Sequence, residues 1–92
     1  MPEMYAHLRW PDGTRERVYS PSLVLAEHLE QGAAYPLEDF ALRSRTALTE
    51  ASERVRVKYG FPCGLAAASL AGIEARVASF GSGDVLVEAL ET

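Results

Sequence analysis

The sequence predicts an α+β domain: a two-layer sandwich in which a small antiparallel sheet, an N-terminal hairpin plus a C-terminal strand, is covered by two helices on one face. Three observations lead there. Residues 4–10 alternate before a proline-aspartate-glycine turn, residues 37–80 carry apolar side chains at spacings of three and four, and "VLVEALE" at 85–91 returns to a short apolar strand pattern. The length of 92 residues suits a single domain over 1–92, and a composition 48% hydrophobic and 24% charged excludes a disordered tail.

In "EMYAHLRW", Met4, Ala6, Leu8 and Trp10 point one way and Tyr5, His7 and Arg9 the other. Pro11, Asp12 and Gly13 supply turn chemistry, and "RERVYS" returns as the second strand, so a hairpin spans residues 3–20. Ser20 as N-cap and Pro21 at the first helical position suit a short helix ending before Gly32, although "LVLA" suits a strand equally. "AAYP" reads as a connection, with Tyr35 held extended by Pro36.

The first long helix is expected over Leu37–Tyr59. Leu37, Phe40, Ala41, Ser44, Ala47, Leu48, Ala51, Val55 and Tyr59 share its buried face. Glu38 and Asp39 sit at its start and Arg54, Arg56 and Lys58 near its end, each sign matched to the helix dipole. Gly60 fits a left-handed C-cap, with Phe61 expected to make the accompanying apolar contact and Pro62 blocking continuation. A second helix follows from about Cys63 to Phe80, burying Leu65, Ala66, Leu70, Ile73, Val77 and Phe80, while alanines 66, 67, 68 and 71 allow close packing. On the last strand Val85, Val87 and Ala89 face one way and Leu86 and Leu90 the other; apolar residues on both faces imply a central strand or a face covered by a partner.

Several function classes are disfavoured. A net charge of −4 argues against general nucleic-acid binding. No apolar run reaches the roughly 20 residues that span a bilayer, and "MPEMYAHLRW" lacks a signal peptide's pattern. A lone cysteine fits a reducing compartment, so a cytoplasmic location is expected.

The chemical candidates are few. Arg45, Thr49, Ser52 and Arg56 recur at steps of four, three and four, forming a stripe of two guanidiniums and two hydroxyls able to hold an anion. The ordinary reading is a solvated flank, with Glu50–Arg54 and Glu53–Arg56 as helix-surface pairs. Tyr19, Tyr35 and Tyr59 are candidates to line a pocket nearby. Cys63, near a helix start, is the one candidate reactive thiol; its alternative role is a small residue at a helix corner. His7 and His28 do not sit at metal-ligand spacing, so neither a metal nor another cofactor is implied, and no catalytic constellation is apparent.

"RWPDG", "YSPS", "YPLEDF", "SRTAL", "ASERVR", "KYGF" followed by Cys63, and "IEAR" occur in an order that resembles a small bacterial family of nitrogen-starvation-response proteins. The resemblance runs nearly the whole chain. It implies an accessory role beside a gene cluster carrying a nitrilase, a radical-SAM protein, an acetyltransferase and a flavoprotein, and it implies no reaction for this small member. It directs attention to Arg45, Ser52, Glu53, Arg54, Lys58, Tyr59 and Cys63; where the family often has a serine after the cysteine, this chain has Gly64.

Three functions follow as expectations. The first is a non-catalytic accessory or regulatory protein that acts through protein contacts as a homodimer, with proteins of the nitrilase-containing cluster as partners. The second is an anionic-metabolite binding module built on Arg45 and Arg56. The third is a thiol-dependent enzyme at Cys63.

Overall fold

A computed structural model describes residues 3–92. Strands β1 (Met4–Arg9), β2 (Arg15–Ser20), β3 (Ala34–Pro36) and β4 (Asp84–Glu91) form one antiparallel sheet in the order β2-β1-β4-β3. A single-turn helix, α1 (Leu25–His28), precedes β3, and the two long helices, α2 (Leu37–Tyr59) and α3 (Gly64–Ser79), lie between β3 and β4. The expected α+β architecture is present.

The hairpin forms as its alternation dictates. Met4, Ala6, Leu8 and Trp10 are buried, and Gly13 supplies the left-handed residue of the turn at φ 87°. The turn is braced within the hairpin and tied to the helical layer by one arginine. Trp10 Nε1 donates to Glu16 Oε1 at 2.9 Å, and Arg76 of α3 lies over the indole while its Nη2 donates to Thr14 Oγ1 at 2.7 Å. Gly83, at φ 125°, lets Pro11 approach so closely that a Cβ there would stand 2.8 Å from Pro11 Cβ. The "RWPDG" and "IEAR" segments thus meet, as a structural joint.

Residues 21–30 are helical only in part. Ser20 is not an N-cap, nor Pro21 a first helical residue, because Ser20 remains in β2 opposite Met4. The chain then turns on serine hydroxyls: Ser20 Oγ donates to the Ser22 carbonyl at 2.8 Å, and the Val24 N–H donates to Ser22 Oγ at 3.2 Å. Helix α1 begins only at Leu25. "AAYP" is not a simple connection either. Its last three residues pair with β4 and run straight into α2, whose first N–H, on Leu37, donates to the Gly83 carbonyl at 3.2 Å.

Strand β4 is central, between β1 and β3. Its alternation is interrupted: Val87 pairs with Leu8 and Ala89 with His7, so Glu88 is an extra residue, a β-bulge. The bulge reverses the expected orientation of the strand's end. Leu90, opposite Ala6, packs against the core, whereas Ala89 joins the face of His7.

The core lies between sheet and helices, where Trp10, Phe40, Leu8, Leu48, Ile73, Val85 and Val87 are buried and Trp10 stacks against Phe80 at 6.0 Å between ring centroids. The ends of the helices depart from expectation. Gly60 caps α2 at φ 89° as its position requires, yet Val55 is only half-buried and Tyr59 is exposed. Phe61, expected to turn inward after the cap, is exposed, and Leu65 lies outside the core. Of alanines 66, 67, 68 and 71, expected to pack closely, only Ala66 is buried. Among the described residues no helix is long and apolar enough to cross a membrane.

Candidate functional site

The stripe on α2 is present but divided. Arg45 donates through Nη2 to Glu74 Oε2 of α3 at 2.9 Å. Arg56 is held by its helix neighbour Glu53, with Nε 2.9 and 3.0 Å from the two carboxylate oxygens and Nη2 bonded to Oε1. That pair keeps the Glu53 carboxyl below its ordinary range and the Arg56 guanidinium above its own, through the Arg56–Glu53 hydrogen bonds in both cases. Arg45 and Thr49 border an open depression of about 870 Å³ along α2 that also reaches Arg54 and Val57. Thr49 and Ser52 border a separate cleft of about 210 Å³ between α2 and α3. Arg56 lines neither of these two. The two guanidiniums therefore do not converge on one cavity, and each is already matched to a carboxylate.

Ser52 and Cys63 are brought together. The Cys63 backbone N–H donates to Ser52 Oγ at 3.3 Å, which supports the turn into α3 at the residue that caps it. The thiol is half-buried. Among the described residues no side chain hydrogen-bonds to it, and no three His, Cys, Asp or Glu side chains are grouped as a metal would need. The tyrosines do not share a pocket. Tyr35 sits on β3 under the Arg43 guanidinium, Tyr59 ends α2, and Tyr19 packs edge-on against Tyr5 across the hairpin. The Tyr19 hydroxyl is pushed up by burial first, then by the nearby Cys63, Glu3 and Tyr5. His7 faces away from the core on β1 and bonds Glu91, while His28 bonds Glu50.

Two further features were not among the sequence candidates. The first is the corner between α2 and α3, where Val57, Tyr59, Phe61 and Leu65 are 73%, 53%, 66% and 65% exposed. Helical periodicity and capping rules assign Tyr59, Phe61 and Leu65 to the inside. The signal that they lie outside is length. At 1.5 Å per residue a 23-residue helix is about 34 Å long, whereas the six-residue strands reach only about 20 Å. The second is the sheet face turned from the helices, where Arg9, Arg15 and Arg17 stand together with Tyr5, Tyr19 and His7. The alternation of "HLR" and "RERVY" already places them there.

The fold and these surfaces define a small helix-covered antiparallel sheet with an exposed apolar corner and, among the described residues, no group of side chains suited to hold a metal. The family model described as nitrogen starvation-induced protein NitG matches residues 5–91. The chain belongs to that family. No curated protein and no solved structure shows significant similarity to it.

Proposed function

We propose that this member of the nitrogen starvation-induced family is a non-catalytic accessory protein that works through protein contacts and self-associates as a homodimer. The observation that carries the reading is the α2–α3 corner, where four large apolar side chains between Val57 and Leu65 face solvent on a 10.0 kDa chain. Clustered exposed apolar residues on a small protein mark an interaction surface. A second copy is the occupant best suited to it, since two equivalent helix corners meet face to face about a two-fold axis and cover the same residues on each. The partners proposed for such a dimer are the products of a nitrilase-containing gene cluster, in the cytoplasm.

The test is solution mass by light scattering after size exclusion, over a wide concentration range. Wild type is expected at twice the chain mass, and Phe61→Ser/Leu65→Ser at the mass of a monomer with unchanged far-UV circular dichroism. A wild-type monomer at every concentration overturns the homodimer. The anionic-metabolite reading predicts that phosphate and carboxylates stabilise wild type and not Arg45→Ala/Arg56→Ala. Both guanidiniums already hold carboxylates, so the same response from the two proteins is expected.

A further inference from the structure

Most arginines of the described residues are matched to a carboxylate. Arg15, Arg43, Arg45, Arg54, Arg56 and Arg76 each pair with a carboxylate. Among the described residues, Arg9 and Arg17 do not. Both stand on the sheet face away from the helices, beside Arg15. Arg9 lies directly across the hairpin from Arg15, and Arg17 is two residues farther along the same strand. Like charges placed directly opposite destabilise an antiparallel pair. Among the described residues the one ion pair made by the three is Arg15 with Glu88 at 3.2 Å, while Glu91 on the same face is taken up by His7 at 2.9 Å. Glu88 follows the inward Val87 and faces this side by the strand's own alternation, and the bulge there adds Ala89 to the same face.

Protection of the edge strand β2 accounts for one or two exposed charges there. It does not account for Arg9, which lies on β1 between two neighbouring strands. From these observations we infer that the open face of the hairpin, centred on Arg9, Arg15 and Arg17, docks a carboxylate-rich segment of a partner protein.

Shape and charge select this occupant. A pleated face offers no enclosure, and the clefts along α2 and between α2 and α3 are lined by other residues, so a small anion gains little burial here. Nucleic acid is disfavoured by the net charge of −4. It is further disfavoured because the Arg17 guanidinium already covers the Tyr5 ring at 4.3 Å and Tyr19 packs edge-on against it, which takes up the aromatic surface a base would stack on. Side-by-side guanidiniums suit carboxylates spaced along a chain, since each presents a planar fork matched to a carboxylate. This surface is separate from the α2–α3 corner, so the inference stands or falls apart from the homodimer.

The experiment uses a fluorescein-labelled oligo-glutamate peptide as probe and follows anisotropy at low and moderate salt. Wild type is expected to bind saturably and to weaken as salt is raised. Arg9→Ala/Arg17→Ala, which orphans no carboxylate, should lose at least tenfold in affinity while keeping its melting temperature. Arg45→Ala/Arg56→Ala removes the same charge from α2 and should stay within about twofold of wild type, given that additive effects are expected of distant sites. An equal loss in both double variants would show only a net-charge effect and overturn the proposal. So would absence of saturable binding at low salt, or tighter binding of oligothymidylate than of oligo-glutamate. Arginine-dependent stabilisation by inorganic phosphate without peptide binding, or self-association abolished by the hairpin variant, would assign the face to a small anion or to a second copy and also overturn it.

Discussion

Gly83 is the residue on which the hairpin turn and the helical layer close. At φ 125° with Pro11 against it, a methyl group has neither the backbone conformation nor the space it needs. Gly83→Ala is expected to cost more than about 1 kcal/mol, measured by urea unfolding, since the native φ disfavours any side chain. A cost no larger than that of an Ala at Gly81, where nothing lies within 4 Å, would contradict this. Asp12 in the same turn carries a pH dependence. Thr14 donates to its Oδ1 through the hydroxyl at 2.6 Å and the N–H at 3.0 Å, and these bonds, the hydroxyl's first, hold the carboxyl below its ordinary value of 3.8. The unfolded chain therefore takes up the proton first. The stabilisation is fully present above the ordinary aspartate range and is lost as pH falls through the depressed folded value. The stability difference between wild type and Asp12→Asn should shrink from about pH 5 to about pH 2; a difference independent of pH would show that the turn does not bind the charged form. Most of these residues are readable as turn chemistry in "WPDGT", but the approach of Pro11 to Gly83 joins segments about 70 positions apart and has no local signature.

At the scale of elements, legibility follows period and length. The hairpin and both long helices are visible in the sequence because their apolar residues repeat over many positions. Strand β3 is not, because three residues ending in proline carry no period and pair only with β4. The bulge at Glu88 is invisible for a different reason: only the partner strand decides where a residue is left over. It makes a sharp prediction. Simple alternation from Val85 and Val87 places Ala89 inside and Leu90 outside, and the bulge exchanges them. Ala89→Lys should be tolerated and Leu90→Lys should cost about 2 kcal/mol, in proportion to the apolar side chain withdrawn from the core. The reverse order in urea unfolding would refute the register. The stripe of Arg45, Thr49, Ser52 and Arg56 shows the same limit on the functional side. Spacing places the four on one side of α2, but it cannot see that Glu74 arrives from α3 or that a cleft takes two of them and leaves Arg56 out.

For the whole molecule, the longest dimension of 38 Å follows from α2 overrunning the sheet. The overrun leaves the α2–α3 corner without a core to enter, and dimerisation through that corner is expected to raise thermal stability with protein concentration. The melting temperature of wild type should climb across a hundredfold dilution series, and that of Phe61→Ser/Leu65→Ser should not. A concentration-independent wild type would place the apolar corner outside any self-contact.

The central position of β4 also sets how the chain can fold. The hairpin closes within its own residues, and α2 and α3 meet across a four-residue connection, so both units assemble from local contacts. Strand β4 joins them, pairing Glu91 with Tyr5 and Val85 with Tyr35. Its pairing with β1 closes a loop of nearly the whole chain, the slowest kind of contact to find by diffusion. Folding should therefore pass its highest barrier when β4 inserts between two preformed halves. Weakening the preformed hairpin turn should slow refolding and leave unfolding nearly unchanged, whereas weakening β4–β1 contacts, made only as the barrier is crossed, should also speed unfolding.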